Sequence, residues 1–312
     1  MAAHAQPRRP GRRDVHGVVL LDKPEGLSSN QALQRVRGIF RARKGGHTGS
    51  LDPAATGLLP LCFGEATKVS AWLLDAEKEY LVRACLGERR DTGDSEGRVI
   101  ATAEPPALDA AGWQALFARF TGEIAQVPPM YSALKKDGRR LYELAREGRE
   151  VEREPRRVRI RSLQLIAVES DELVFRVRCS KGTYIRTLVE DIAAAAGSLA
   201  STRALRRVAV GPFGSADMVT LETLERAGAE SLERCLQPVD AALADWPSAE
   251  VDAAAAGRFL QGQQVPAEYT ARDGHLRVYD EAGRFLGVGE IPFPGVVRPR
   301  RVFVHGGKSV EI

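Results

Sequence analysis

Val18, Val19, Leu20 and Leu21 stand as four apolar residues in a row and stop at Asp22-Lys23-Pro24. Such a run, closed by turn residues and Gly26, predicts a buried strand entering a turn. Leu33, Val36, Ile39 and Phe40 then recur at helical spacing, with Ser28 or Ser29 placed to cap a helix over about 30–40. Residues 58–63 fit a strand or a buried helical turn, and 65–74 a helix with Lys68 on its polar side. Alternation over 78–86 predicts a half-buried strand. The polar 89–97 stretch reads as a surface loop. A helix is expected over 109–122, with Trp113, Leu116, Phe117 and Phe120 on one face and a Pro-Pro break after it. Alternation over 158–168 and 172–179 predicts a hairpin around Ser170-Asp171. A helix follows to Ala196, after Ala-rich sequence comes a strand from Leu205, and past Trp246-Pro247 the texture changes. There, short alternating strands at 276–280, 285–290 and 301–304 lie between glycines, which predicts a small β-barrel module.

One stretch carries neither period. Residues 46–57, Gly-His-Thr-Gly-Ser-Leu-Asp-Pro-Ala-Ala-Thr-Gly, are turn chemistry throughout. Asp52 is the one acid between Glu25 and Glu65, with Arg41, Arg43 and Lys44 upstream. A carboxylate on a glycine-rich loop beside bases should be ionised and able to approach a substrate closely. On spacing alone, a helix cap or a turn-fixing role fits the same residue.

With 312 residues, 44% of them hydrophobic and 28% charged, the chain can bury a large core and has room for a second domain. A net charge of +4 permits an anionic partner without requiring one. The charge is uneven: residues 135–161 hold eleven bases against six acids. Four cysteines with no CxxC argue for reduced thiols in the cytoplasm and against a zinc site. Five histidines include no HExxH, and no GxxxxGK[ST], GxGxxG or GxSxG motif is present, so neither a metal nor a nucleotide cofactor is expected. No apolar run reaches the roughly 18 residues of a membrane span. Residues 1–14, with four arginines and no apolar core, read as a flexible basic tail.

Five motifs then stand in order: 17–29 (GVVLLDKPEGLSS), 46–59 (GHTGSLDPAATGLL), Lys78-Glu79-Tyr80, 129–135 (PMYSALK) and 180–188 (SKGTYIRTL). Together they resemble the bacterial TruB family of tRNA pseudouridine-55 synthases, over about 15–245, and the tail resembles that family's PUA-like domain. The resemblance implies an α+β (mixed α/β) pseudouridine synthase fold over 15–247, with a largely antiparallel central sheet and an RNA-gripping insertion at about 128–157. A PUA-like β-barrel would occupy 248–312 and add RNA contacts, so that its deletion weakens binding more than chemistry.

It also implies that Asp52 is the nucleophile that converts a uridine to its C-glycoside isomer, attacking C6 or C1′, without cofactor or metal. Tyr80 would stack on the target base and help remove its C5 proton. Arg186 would pair with Asp52, Tyr184 and Leu205 would line the pocket, and Lys23 would support it. His47 would fill the gap left by a flipped nucleotide. Lys68, Lys135, Lys136, Arg139 and Arg140 would meet RNA phosphates. The implied partner is the T-arm stem-loop of tRNA, bound by a monomer with no guide RNA, protein partner or membrane. Assistance in tRNA folding goes with that reading, and a non-catalytic RNA binder is its rival.

Overall fold

The apolar run becomes the strand Gly17–Lys23, and every residue of it from Val18 to Leu21 is buried. This is seen in a computed structural model that describes residues 11–272 and 274–303. The strand is apolar on both faces because it divides two cores. Val19 and Leu21 point into a core shared with the helices Ser29–Ile39, Ala110–Phe120 and Ile185–Ala195. Val18 and Leu20 point the other way, into a core completed by Phe285, Val288 and Phe303 of the C-terminal module. The neighbouring strand Thr56–Phe63 repeats the pattern, with Leu59 and Leu61 on one side and Leu58 and Cys62 on the other. Strands buried on both faces lose their alternation.

The central sheet runs in the order Val219–Thr220, Gly17–Lys23, Thr56–Phe63, Ala200–Val210, Lys78–Leu86, Glu172–Cys179, Arg156–Glu169, Gly122–Gln126. Two short strands, Gly45–His47 and Leu236–Gln237, pair beside it. Among the described strands only Val219–Thr220 against Gly17–Lys23, and Thr56–Phe63 against Ala200–Val210, are parallel in this sheet. The largely antiparallel sheet expected from the family resemblance is therefore present.

The strand at Lys78–Leu86 and the helices at Ser29–Ile39 and Ala110–Phe120 lie where the pattern put them. Ser28 caps the first helix. Its Oγ accepts from the Gln31 N–H, while Gln31 Oε1 accepts from the Ser28 N–H at 2.9 Å, a reciprocal box. Asp109 caps the second through the Gly112 N–H at 2.8 Å.

Other expectations change. Residues 65–74 are a 3-10 turn, Gly64–Lys68, followed by a separate short helix, Ser70–Asp75. The polar stretch at 89–97 is the bend of a hairpin, Glu88–Arg90 with Val99–Thr102, tied to the sheet where the Thr202 N–H donates to the Gly93 carbonyl. The strand expected from Leu205 starts at Ala200, because Ala200, Ser201 and Thr202 pack as small buried residues that give no apolar alternation. The end of the basic tail is not loose. Arg13 bridges to Ala42, donates to the Phe40 carbonyl at 3.0 Å and pairs with Glu233. Residues 1–10 lie outside the described residues.

The C-terminal module is a five-stranded half-barrel in the order Ser248–Val251, His275–Asp280, Phe285–Phe293, Val296–Val302, Val265–Pro266. Its last strand precedes the 301–304 position expected, and Val304 lies outside the described residues. The helix Ala253–Leu260, whose Phe259 fills the half-barrel, was hidden in an Ala run. Trp72 meets Trp246 edge-on with ring centroids 5.3 Å apart, and Trp246 meets His275 at the same distance. The second core is thus shared between module and central sheet. Truncation after Trp246 is expected to expose it, at roughly 1.5–3 kcal/mol for each large apolar side chain uncovered. A thermal melt should show a lower, less cooperative transition. A melt unchanged from the full chain would mean the module adds nothing to the stability of the sheet.

Candidate active site

Asp52 sits on a loop that is pinned on both sides. The Leu51 N–H donates to Ser29 Oγ at 2.7 Å, and that hydroxyl donates back to the Leu51 carbonyl at 3.0 Å. On the other side, the Pro53 carbonyl accepts from the Gly26 N–H at 2.9 Å and from Lys23 Nζ at 3.3 Å. Lys23 is fully buried and also donates to the Pro24 and Leu27 carbonyls, so it holds the first turn to this loop. Burial pulls its pKa down to about 8, although Asp52 and Glu25 favour its charge. At Gly57, φ is +98° and a Cβ would lie 2.2 Å from the Arg207 carbonyl oxygen, so a side chain would block the parallel strand pairing there.

The Asp52 side chain is 44% exposed, and its Oδ2 lies 3.0 Å from Arg186 Nη2. Arg186 rises from the first turn of Ile185–Ala195 and is only 7% exposed. Its Nη2 also donates to the Tyr131 carbonyl at 2.7 Å, and its Nη1 to the Thr92 carbonyl at 2.8 Å. Nη1 further pairs with Asp94 Oδ2 at 3.3 Å. The guanidinium fork therefore joins two carboxylates and two loops. Enclosure raises the Asp52 pKa above the ordinary aspartate range; Arg186 opposes this, Asp94 adds to it, and Lys23 opposes it again. The nucleophilic role expected of Asp52 would require its carboxylate, so the rate is expected to fall as pH drops through a pKa above that ordinary range. A pH profile of single-turnover isomerisation checks it. An acid limb at or below the ordinary aspartate value would contradict the direction.

Asp52, Tyr80, Tyr184, Arg186 and Leu205 line one cleft of about 290 Å³. Tyr80 is buried in the strand Lys78–Leu86. Tyr184 caps the Arg186 helix, where Gln126 clamps its backbone: the Tyr184 N–H donates to Gln126 Oε1 at 2.8 Å and Gln126 Nε2 donates to the Tyr184 carbonyl at 3.0 Å. Burial pushes both phenols above the usual tyrosine pKa. Asp52 and Arg186 also line a larger groove of about 900 Å³, together with His47, Lys135, Arg140 and Arg146. The His47 Nδ1 is buried with no hydrogen-bond partner. Burial, then the nearby Arg207, lower its pKa, so the ring is neutral at neutral pH.

The other cations expected to meet RNA are placed less directly. Lys136 and Arg139 are exposed on the same hairpin as Lys135 and Arg140, but Lys136 donates to the Glu152 carbonyl and Arg139 pairs with Glu147. Lys68 is away from the site. Its ammonium donates to Glu65 at 2.5 Å and to the Val302 carbonyl at 2.9 Å, and lies over the Phe303 ring. It joins the two domains and does not face the groove.

Two site residues escaped sequence reasoning. Asp94 is 6% exposed beneath a loop that reads as solvated, since only the fold carries that hairpin onto Arg186. Arg207 is 1% exposed and lines the cleft. Its signal was present: in Leu205-Arg206-Arg207-Val208, two adjacent arginines in a strand cannot both face solvent. Among the described residues, no group of three or more His, Cys, Asp or Glu side chains could hold a metal. Nor is any described helix long and apolar enough to cross a membrane.

Family models match the chain from residue 37 to residue 303, save 245 and 246. The N-terminal domain of TruB family pseudouridylate synthases matches residues 37–185. Two C-terminal domains of the same enzymes match 186–244 and 247–303. The chain belongs to the TruB family. It is therefore a pseudouridine synthase, an isomerase. A tRNA pseudouridine synthase B of Stutzerimonas stutzeri is 52% identical over 93% of this chain and 96% of its own. That of Ectopseudomonas mendocina is 52% identical over 95% and 97%. Among solved structures, a Cbf5-Nop10-Gar1 complex matches with a TM-score of 0.72 at 25% identity, covering 93% of this chain and 85% of that one. The TruB family boundary at 244–247 falls at the Trp246-Pro247 change of texture.

Proposed function

We propose that this TruB family enzyme flips uridine 55 out of the T-loop of tRNA and isomerises it to pseudouridine through Asp52. One observation carries the reading: Asp52 lines both a smaller cleft and a larger groove that basic residues also line. A flipped base fits the first, and the stem-loop that bears it fits the second. Lys135, Arg140 and Arg146 neutralise phosphates, and neutral His47 fills the vacated stack. Tyr80, Tyr184 and Leu205 hold the ring against the carboxylate.

Arg186 keeps Asp52 ionised until it attacks C6 of the uracil or C1′ of the ribose. The C1′–N1 bond breaks with its electron pair on the base. The base turns, C5 joins C1′, and the bond from Asp52 to C1′ or C6 breaks with its electron pair returning to the carboxylate. The C5–H pair then returns to the ring as the C5–C6 double bond, N1 takes a proton, and the C5 proton leaves by way of Tyr80. The isomerisation is redox-neutral and calls for no cofactor.

The relatives at 52% identity are named for tRNA, whereas the Cbf5 likeness is at 25%. That favours a cytoplasmic enzyme that acts as a monomer on tRNA without a guide. The test is incubation with an unmodified tRNA transcript and nucleotide-by-nucleotide mapping of pseudouridine. Modification at position 55 is the expected result; modification elsewhere, or only after a guide RNA is added, would overturn the assignment.

A further inference from the structure

Arg207 is a buried cation without an anion. It is 1% exposed, and among the described residues no carboxylate pairs with it. Nε donates to the Leu58 carbonyl at 2.7 Å, and Nη2 to the Gly49 carbonyl at 3.1 Å, three residues before Asp52. Those two bonds use two of five N–H donors. Arg207 is also the cross-strand partner of Tyr80 in the antiparallel ladder, so the two side chains share a face of the sheet, and both line the same cleft. Lys78, the other buried cation beside Gly49, is spent elsewhere, donating to the carbonyls of Leu73, Leu74 and Ala76. An isolated buried charge costs several kcal/mol unless something offsets it. Two carbonyls alone offset this one only in part.

We infer that Arg207 is the positioning residue of Tyr80, holding the phenol oxygen in place and stabilising negative charge on it as the C5 proton is removed. Arginine only donates, so the Tyr80 oxygen accepts from it and the tyrosine's own proton points away. The tyrosine's own proton passes to water first, leaving that oxygen negative, and the C5 proton then arrives on it. The C5–H electron pair closes the C5–C6 double bond, and N1 carries the hydrogen that the product keeps. Arg207 touches no reacting atom, yet the oxygen that does carries transient negative charge beside its guanidinium. Burial works against that charge and Arg207 works for it, which agrees in sign with the opposing influences on the Tyr80 phenol. The same side chain grips the Gly49 carbonyl, so base and nucleophile are spaced by one group.

The inference rests on the proton-removing role of Tyr80 proposed above, and its test separates the two. Arg207→Met is expected to lower kcat about 10²-fold, the scale of a general-base contribution, with little change in KM. On tRNA transcribed with 5-deuterouridine, the variant should show a larger isotope effect than the wild type, because C5 deprotonation has become slow. In a Tyr80→Phe background, Arg207→Met should cost almost nothing more. Arg207→Lys, which retains a buried donor for the Gly49 and Leu58 carbonyls, carries the same measurements where the methionine variant does not fold. An unchanged isotope effect, or losses that multiply with Tyr80→Phe, would make Arg207 a loop support only and overturn the inference. A Tyr80→Phe enzyme at wild-type rate would defeat the Tyr80 role and this inference together.

Discussion

Asp52→Asn is expected to abolish isomerisation while leaving tRNA affinity within about tenfold, or about 1.4 kcal/mol. The amide is isosteric, and its oxygen still accepts from Arg186 Nη2, now 3.0 Å from Oδ2. The Leu51 and Pro53 anchors on either side of the residue involve backbone atoms and stay in place. Only the nucleophile is lost, and an amide oxygen cannot form the covalent intermediate. Removal of a residue that makes the covalent bond costs on the order of 10⁴-fold or more. Binding should hold, because the charge deleted faces an anionic ligand and contributes repulsion. Single-turnover assays and filter binding on one tRNA transcript separate the two effects. Turnover of Asp52→Asn within tenfold of wild type would remove Asp52 from the chemistry.

How far such a site can be read ahead of the fold depends on where its parts come from. Asp52, Tyr80, Tyr184 and Arg186 lie in short local motifs, but the roles expected of them came from the ordered family resemblance; on spacing alone a cap or turn-fixing role fitted Asp52 equally. Elements whose two faces differ were also legible: Lys78–Leu86 alternates because one face meets the core and the other is partly wet. Asp94 was not legible, since nothing local tells a solvated hairpin bend from one folded over an arginine. Lys68 misled for the opposite reason. Its exposed helical face is polar locally, and it becomes an interdomain contact only once Val302, 234 residues away, arrives beside it. The two-sided burial of Val18 to Leu21 predicted a strand, but did not reveal that its second face would be closed by the C-terminal module.

Arg186→Lys should impair isomerisation strongly, although it conserves charge. The guanidinium serves four acceptors at once: the Thr92 and Tyr131 carbonyls, Asp94 and Asp52. They are spread across both terminal nitrogens, and an ammonium is a single point on a shorter reach. With the fork gone, at least one carbonyl and one carboxylate lose their bond in a place only 7% exposed. Two carboxylates, Asp52 and Asp94, are then left facing each other with weaker compensation. A fall in kcat of about 10²–10³-fold is expected, consistent with about 3–4 kcal/mol of lost charge stabilisation. The pH profile carries the sharper sign. Arg186 lowers the Asp52 pKa and Asp94 raises it, so weakening the first lets the second prevail. The acid limb of the rate should therefore move to higher pH in the variant, and raising pH should restore part of the lost rate. A wild-type rate, or a slow enzyme whose acid limb has not moved, would show that Arg186 braces the loops without governing the charge on Asp52.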